Sequence, residues 1–262
     1  MIVQKLSWAG IAVSDGETSV VIDPIGDTKH IVERPLAARL GTPTEPLYPL
    51  SEIPSVTAVL ISHVHPDHFD HLSIMAAYGE DIPVLLPIES VEIARKTGLK
   101  NVIGVTVDDR FTYGKLDVTA SYSVDGYGTP QVSWVVGGNG KKIIHCGDTL
   151  WHGYWWKIAR QHGPIDVACL PVNGAILEIE ALPQQSILHA CMTPEEAVEA
   201  AKLLQANKLV PIHFNTFKNP PYYIETPNLL ARLITSSKQR EVDLEILAPG
   251  ETTDLTILEK AV

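Results

Sequence analysis

The feature that most constrains this chain is the hexapeptide His63–His68, HVHPDH, which directly follows a run of β-type residues at 56–61. Four of its six side chains can ligate a metal ion, and packing alone gives no reason to concentrate imidazoles that repel one another once protonated. His63 and His65 are two residues apart, so an extended segment directs both side chains the same way. The proline after His65 bends the chain and lets Asp67 and His68 face a second ion. The hexapeptide therefore predicts a metal site at the end of a strand.

Short runs of β-branched and aliphatic residues recur along the chain, and each ends abruptly in polar or ionisable residues. These runs cover 19–22, 56–61, 116–120, 142–144, 167–170 and 209–212. They are typical of buried strands whose carboxyl ends carry functional side chains. Helices are predicted at 69–78, 89–97, 156–162, 195–205 and 227–236. The clearest of them begins with a capping box formed by Thr193 and Glu196. Interleaved strands and helices predict an α/β fold.

The chain is long enough for one well-filled core, with 262 residues of which 45% are hydrophobic and 19% charged. Because no shift in composition marks a boundary, we expect a single domain over 1–262. One segment, 26–54, interrupts the alternation of predicted strands and helices and has prolines at 35, 43, 46, 49 and 54. A long proline-rich loop in a compact domain is typical of a surface flap, so this segment is predicted to be a lid.

The net charge and the number of cysteines limit which partners and which cellular compartment are expected. The formal net charge of −11, without a cluster of lysines and arginines, disfavours nucleic acid and anionic membranes as partners. No apolar run approaches the roughly 18 residues that span a bilayer, and the first residues lack a signal-peptide pattern. Three cysteines cannot form a closed disulfide framework, which favours a reducing compartment. We expect a cytoplasmic protein with a small-molecule substrate, and the sequence leaves open whether it forms a homo-oligomer.

The hexapeptide and three later motifs resemble, in order, those of the metallo-β-lactamase superfamily. Asp23-Pro24 resembles the first motif, whose aspartate braces the metal loop. Asp148, in Gly-Asp-Thr, resembles the aspartate that bridges two metals, and His213 resembles the last ligand. The resemblance extends over nearly the whole chain, from about residue 6 to about residue 250. The segments 192–197 and 213–216 are similar to those of stand-alone bacterial hydrolases related to ascorbate-6-phosphate lactonase.

This resemblance implies a four-layer αββα sandwich and a hydrolase with up to two metal ions. The family pattern assigns one ion to His63, His65 and a further histidine. It assigns the other to Asp67, His68 and His213, with Asp148 between them. A hydroxide held by the metals, its pKa lowered towards about 7, would be the nucleophile, and Asp67 would orient it. One or two Zn²⁺ ions are expected, with Mn²⁺ or Fe²⁺ as alternatives.

The chain departs from the family at the third histidine of the first ion. No histidine occurs between His71 and His145, and the expected position, after the run at 116–120, is occupied by Asp125. A carboxylate there would give a harder ligand set that tolerates Mn²⁺ or Fe²⁺ as well as Zn²⁺. Alternatively, Asp125 is an ordinary turn aspartate before Gly126, and the first ion binds weakly or not at all. The sequence leaves both interpretations open.

Four further residues are candidates for supporting the ligands or touching the substrate. Asp23 is expected to brace the metal loop. His145 lies in a predicted strand, where a buried hydrogen-bonded histidine is favoured over a ligand. His189 precedes the capped helix and could approach the site from a loop. Asn173 follows a strand and could either bind substrate or supply a turn.

The resemblance implies hydrolysis of a small-molecule lactone, ester, amide or phosphoester, and it does not choose among these bonds because substrate choice depends on the loops. A different class of function is a non-catalytic metal-binding or ligand-sensing protein whose first site has decayed at Asp125. A nuclease of the same fold is a third interpretation. The acidic charge and the lack of an added RNA-binding arm disfavour it.

Overall fold

A computed structural model describes residues 1–27, 40–176, 184, 186–220 and 223–255. Two sheets account for the strands in these ranges. The first sheet contains β1 Ile2–Lys5, β2 Ile11–Ser14, β3 Ser19–Ile22, β4 Val56–Leu60, β5 Val84–Pro87, β6 Val102–Val105 and β13 Thr252–Asp254. The second contains β7 Arg110–Tyr113, β8 Leu116–Tyr122, β9 Val132–Gly138, β10 Lys141–His145, β11 Val167–Pro171 and β12 Lys208–Ile212.

The helices lie between these strands along the chain. They are α1 His71–Tyr78, α2 Val91–Arg95, α3 Trp155–His162, α4 Pro194–Leu203 and α5 Leu229–Arg240, with short 3-10 helices at Leu50–Glu52 and Ile88–Ser90. None of the helices in the described ranges is both long and apolar enough to cross a membrane.

Each sheet contains one block of neighbouring parallel strands. The first sheet runs β13-β1-β2-β3-β4-β5-β6, and β3 to β6 are parallel. The second runs β12-β11-β10-β9-β8-β7, and β10 to β12 are parallel. Because neighbouring parallel strands end at the same edge of a sheet, the residues that follow them are brought together there.

Packing arranges these elements in four layers. Side chains of both sheets, such as Leu60 and Ile143, meet in one buried cluster between the sheets. Trp155 and Ala197, on α3 and α4, pack on the outer face of the second sheet, and Ile74 on α1 packs on the outer face of the first. A fully buried leucine or isoleucine, such as Leu60, Ile143 or Ile74, contributes about 1.5–3 kcal/mol of hydrophobic stabilisation. The αββα sandwich expected from the sequence is confirmed.

The capping box predicted at Thr193 is present. The Thr193 hydroxyl accepts a hydrogen bond from the Glu196 amide at 3.3 Å, and the Glu196 carboxylate accepts one from the Thr193 amide at 2.8 Å. The helix predicted at 227–236 begins later, at Leu229, because Asn228 has a left-handed backbone with φ of 55°. The helix predicted at 89–97 is instead a 3-10 turn followed by the short α2.

The proline-rich segment 26–54 is described only in part, since residues 28–39, with Pro35, lie outside the described ranges. The later part is anchored to the body of the protein. The Thr44 amide donates to the Thr216 carbonyl at 2.8 Å, and the Tyr48 amide donates to the Ser7 hydroxyl at 2.9 Å. The lid itself stays a prediction.

Candidate metal centre

The predicted metal ligands all follow the carboxyl ends of strands. The hexapeptide His63–His68 lies after β4, Asp125 after β8, Asp148 after β10 and His213 after β12. The two parallel blocks end at neighbouring edges of the facing sheets, so residues up to 150 positions apart in sequence meet there. The structure thus brings these residues together in two adjoining groups.

The first group consists of His63, His65, Asp125 and Asp148, whose ligand atoms all lie within 4.8 Å of one another. The Nε2 atom of His63 is 2.8 Å from Nδ1 of His65 and 3.6 Å from Oδ2 of Asp148. A carboxylate and an imidazole on either side of an ion bound at roughly 2.0–2.2 Å are separated by a comparable distance. These four side chains therefore have the spacing of a ligand set.

The second group consists of Asp67, His68 and His213, again with ligand atoms within 4.8 Å of one another. Oδ2 of Asp67 is 3.6 Å from Nε2 of His68 and 3.5 Å from Nε2 of His213. The two imidazole rings are stacked, with centroids 5.0 Å apart. This group matches the second set that the resemblance implied.

Three buried polar atoms of these groups have no hydrogen-bond partner among the described residues: Nε2 of His68, Nε2 of His213 and Oδ1 of Asp148. Folded proteins leave few buried polar atoms unpaired, because each costs about 1–3 kcal/mol. A cation beside all three would satisfy them at once. The residues present therefore fit a bound metal.

Asp23, after β3, braces the second group from behind. It is fully buried. Its Oδ2 accepts hydrogen bonds from Nδ1 of His68 at 2.8 Å and from the Ser62 hydroxyl at 2.5 Å, and its Oδ1 accepts one from the Ser62 amide at 2.7 Å. When His68 is neutral, this contact keeps its proton on Nδ1, and the lone pair of Nε2 then faces Asp67. A carboxylate behind a metal-binding histidine fixes the ring in this way.

Ser62 extends the brace to the first group. Its single hydroxyl proton goes to Asp23, so the same oxygen accepts a hydrogen bond from Nδ1 of His63 at 3.0 Å. The lone pair of His63 Nε2 consequently faces Asp148. On the other side, Nε2 of His65 contacts the Thr129 hydroxyl at 2.7 Å and leaves Nδ1 for the group.

The electrostatics of the centre also favour a cation. Burial raises the pKa of Asp148 well above its ordinary value; His68 opposes the rise, and Asp125 and Asp67 add to it. Burial alone would lower the pKa of His68, but the carboxylates of Asp67, Asp23 and Asp148 together raise it to about 9. Burial lowers the pKa of His213 to about 4, which keeps this imidazole neutral and able to ligate.

Asp125 lies in a turn and also has one oxygen beside the first group. Its Oδ2 accepts hydrogen bonds from the amides of Tyr127 at 3.0 Å and Thr129 at 2.6 Å, as a turn aspartate does. Its Oδ1 is 3.9 Å from Nδ1 of His65 and belongs to the first group. The turn therefore fixes a carboxylate oxygen at the position where relatives were expected to have a histidine.

The turn is held by a close backbone contact at Gly126. A Cβ atom added at this residue would lie 2.1 Å from the carbonyl oxygen of Ala190. Only glycine allows the two chain segments to approach so closely. The Asp125 turn and the loop before Cys191 therefore support each other.

Asp125→Asn is expected to reduce the metal content of the protein from two ions per chain to one. The asparagine oxygen can still accept the two turn hydrogen bonds, but an amide nitrogen replaces the free oxygen in the first group. Elemental analysis of the metal-loaded protein measures this. Asp117→Asn is the matched control and should keep both ions, because Asp117 is exposed on β8, the strand that precedes Asp125. An unchanged metal content in Asp125→Asn would show that Asp125 is not a ligand.

The remaining candidates lie around the two groups. His145 is buried, with Nε2 donating to the Ala9 carbonyl at 2.8 Å and Nδ1 accepting from the Gly147 amide at 3.3 Å, so both ring nitrogens have backbone partners. His189 is exposed, and its Nδ1 contacts the Gly174 carbonyl at 2.6 Å. Neither histidine belongs to a ligand group among the described residues. Asn173 is buried and lines the cavity described next.

A cavity of about 100 Å³ opens onto both groups. Asp67, Asp125, Asp148, His65 and His213 form its polar side. The rest of the wall is mostly aliphatic and aromatic, and includes Leu40, Pro66, Tyr127, Ala175, Ala190 and Tyr223. Among its described lining residues there is no lysine or arginine.

Trp8 is a part of the centre that the sequence did not indicate. Its indole Nε1 donates to Oδ2 of Asp67 at 3.0 Å, and its ring lies 4.0 Å, centroid to centroid, from that of His213. The buried ammonium of Lys5 donates to the carbonyls of Leu6 and Trp8, both at 2.5 Å, and so stabilises the turn that presents the indole. Trp8 is 59 residues from Asp67 in sequence and belongs to no recognisable motif.

Comparison with known proteins identifies the family. The model of the "Beta-lactamase superfamily domain" matches residues 18–214. A UPF0173 metal-dependent hydrolase of Thermus thermophilus is 30% identical over 261 residues, which cover 97% of this chain and 98% of that protein.

Two solved structures share the fold. Igni18, a metallo hydrolase from the archaeon Ignicoccus hospitalis, gives a TM-score of 0.68 at 22% identity and covers 96% of this chain and 97% of its own. The isothiocyanate hydrolase from Delia radicum gut bacteria gives 0.74 at 19% identity and covers 98% and 99%. Family model, relative and fold agree, and the chain belongs to the beta-lactamase superfamily as a metal-dependent hydrolase of the UPF0173 family.

Proposed function

We propose that the protein hydrolyses a small neutral ester, lactone or amide. The observation that carries this proposal is the small, largely apolar cavity that opens directly onto the two ligand groups. A cavity of about 100 Å³ accommodates only a small group, and its aliphatic and aromatic walls favour an uncharged one. A nucleic acid is too large and too anionic for it. The small-molecule substrate and the cytoplasmic location belong to this same proposal.

The metal is proposed to be Zn²⁺, with Mn²⁺ or Fe²⁺ as alternatives. Both groups offer imidazole nitrogens and carboxylate oxygens without a thiolate, a donor set that suits all three ions. When bound, such an ion acts as a Lewis acid on the scissile group and makes water nucleophilic at neutral pH.

The side chains around the centre orient the reactants. The pKa of Asp67 is held well below its ordinary value by His68 and His213 although burial opposes this, so the carboxylate is ionised. The Trp8 indole already donates a hydrogen bond to Oδ2 of Asp67. Oδ1 is therefore the oxygen that accepts a hydrogen bond from the attacking water. The apolar walls exclude other water from the reacting atoms.

Among the four bonds that the family pattern allowed, the phosphoester is the least favoured in this proposal. A phosphate group is usually held by arginine or lysine, and the described lining residues offer neither. The proposed relationship to ascorbate-6-phosphate lactonase therefore extends to lactone opening rather than to recognition of the phosphate. An isothiocyanate, the substrate named for one structure of the same fold, is also small and neutral.

A substrate panel tests the proposal. The protein is stripped with a chelator, reloaded with Zn²⁺, Mn²⁺ or Fe²⁺ and assayed with an aryl acetate, a γ-lactone, an anilide, an aryl phosphate and an aryl isothiocyanate. We expect turnover only after reloading, with the best neutral substrate at least about 10-fold faster in kcat/KM than the phosphate. Faster cleavage of the phosphate contradicts the proposed substrate class. Bound metal without turnover of any substrate favours the non-catalytic, ligand-sensing alternative.

A further inference from the structure

We infer that the hydroxyl of Tyr223 donates a hydrogen bond to an oxygen of the scissile group, and that Asn173 is the positioning residue that directs it. The inference rests on the proposed function, since it concerns the substrate of the same cavity. Neither residue belongs to the two ligand groups, and both line the cavity from the side of β11 and the chain after β12.

Tyr223 is packed into the cavity wall. Only 8% of its surface is exposed, and its ring packs edge-on against Trp8 with centroids 6.0 Å apart. Its amide donates to the Asn219 carbonyl at 2.9 Å, and its carbonyl accepts from the Asn219 amide at 3.2 Å. Trp8 in turn contacts Asp67 and His213, so the phenol and the metal ligands share one packed unit.

Asn173 determines which way the phenol proton points. Its backbone carbonyl accepts from the Thr226 amide at 2.8 Å, and its side-chain Nδ2 donates to the Tyr223 hydroxyl oxygen at 3.0 Å. The hydroxyl accepts in this contact, and its own proton has no acceptor among the described residues. The proton is therefore available to a group in the cavity.

The hydrogen bond between Asn173 and Tyr223 does not use all of the polar atoms of the two side chains. Oδ1 of Asn173 is buried without a hydrogen-bond partner among the described residues, and a pair that served packing alone would rarely leave a buried polar atom unpaired. Burial, with the nearby Glu225 carboxylate, raises the pKa of Tyr223 well above its ordinary value. The phenol thus stays protonated and remains a donor throughout the neutral range.

The aliphatic part of the wall cannot replace this donor. Leu40, Ala175 and Ala190 line the same cavity and have no side-chain donor. A substrate oxygen placed against them without a partner would be left unpaired at a cost that discriminates between substrates. The matching ligand is a neutral acyl compound with an oxygen in the scissile bond or carbonyl. The hydrogen bond strengthens as negative charge develops on that oxygen.

Tyr223→Phe tests the inference, with the best neutral substrate of the panel and the metal-loaded protein. We expect kcat/KM to fall by about 10- to 100-fold, mainly through kcat, because the lost bond is strongest in the transition state. Tyr113→Phe is the matched control, since Tyr113 lies at the end of β7 and is not among the residues that line the cavity. It should stay within about twofold of the unmodified protein. Metal content and melting temperature should be unchanged in both variants.

Asn173→Leu tests the positioning role by a double-mutant cycle. The hydroxyl remains but is no longer directed, so the variant should lose kcat to a similar extent with little change in KM. Combining it with Tyr223→Phe should cause no further loss, because the two residues act as one unit.

The outcomes separate the inference from the function on which it rests. Normal kcat in Tyr223→Phe, with an active unmodified protein, overturns the inference and leaves the proposed function intact. Loss of activity together with loss of bound metal assigns a structural role to Tyr223 and also overturns it. An unmodified protein that binds metal but turns over no neutral substrate overturns both.

Discussion

Asp148→Asn is expected to lower kcat/KM of the metal-loaded protein by on the order of 10³-fold. The substitution removes a fixed negative charge from the side chains that would hold the cation at the reacting centre. The carboxylate oxygen of Asp148 lies within 4.8 Å of the other ligand atoms of the first group, and its unpaired Oδ1 is buried. Asparagine keeps the shape but has no charge to bind a cation.

The same substitution should have the opposite effect on the metal-free protein. In the absence of a cation, burial disfavours the ionised form of Asp148, and the nearby carboxylates of Asp125 and Asp67 add to this effect, so the group opposes folding at neutral pH. Asparagine has no charge to desolvate and no proton to take up, so the free energy of unfolding at neutral pH should increase by about 1–3 kcal/mol. Urea unfolding in the presence of a chelator measures it.

An exposed aspartate provides the comparison for both effects. Asp117→Asn, on β8, should change neither kcat/KM nor the stability of the metal-free protein appreciably. If Asp148→Asn destabilises the metal-free protein, the carboxylate has a structural partner there, and the interpretation of Asp148 as a metal ligand is wrong.

Asp23→Asn is expected to reduce both stability and catalysis although Asp23 is not a ligand. The carboxylate accepts three hydrogen bonds, from His68 and twice from Ser62, whereas an asparagine side chain has only one acceptor atom. Either a Ser62 donor or the Nδ1 proton of His68 loses its partner. If the proton moves to Nε2, His68 presents the wrong tautomer to the centre.

We expect kcat/KM to fall by about 10- to 100-fold, the usual effect of removing a group that orients a metal ligand. The metal-free protein should lose about 3 kcal/mol, as when a buried charged pair is broken. Activity assays and urea unfolding report the two effects separately.

Asp15→Asn is the matched control, because Asp15 also accepts backbone hydrogen bonds, from Glu17 and Thr18, but in an exposed turn. It should leave kcat/KM unchanged. An Asp23→Asn protein with normal activity and normal metal affinity would remove Asp23 from the centre.

Much of the scaffold could be predicted from the sequence because the signals are local. The run at 19–22 coincides with β3, and the predicted capping box starts α4 at the expected residue. Each ligand candidate lies shortly after a hydrophobic run, so the edge at which they meet was implied by the strand pattern. The boundaries of α2 and α5 were less accurate, because tertiary packing and a left-handed residue before α5 set them.

The contacts that refine the site were not predictable in this way. Trp8 reaches Asp67 from the turn between β1 and β2, and Tyr223 reaches Asn173 across 50 residues, so no periodicity or spacing marks either pair. The choice at Asp125 was left open because a turn aspartate and a ligand have the same local sequence. Only the separate surroundings of its two oxygens distinguish the roles.

The contact of Gly126 with the carbonyl of Ala190 has a consequence for how such an enzyme can change its substrate. Ala190 contributes to the cavity wall, and its carbonyl oxygen also lies directly against the turn that holds Asp125. A loop transplanted from a relative would therefore alter the metal centre as well as the wall, unless it preserved the glycine contact. Redesign of specificity should begin at Leu40, which lines the cavity on a different segment and leaves that contact untouched.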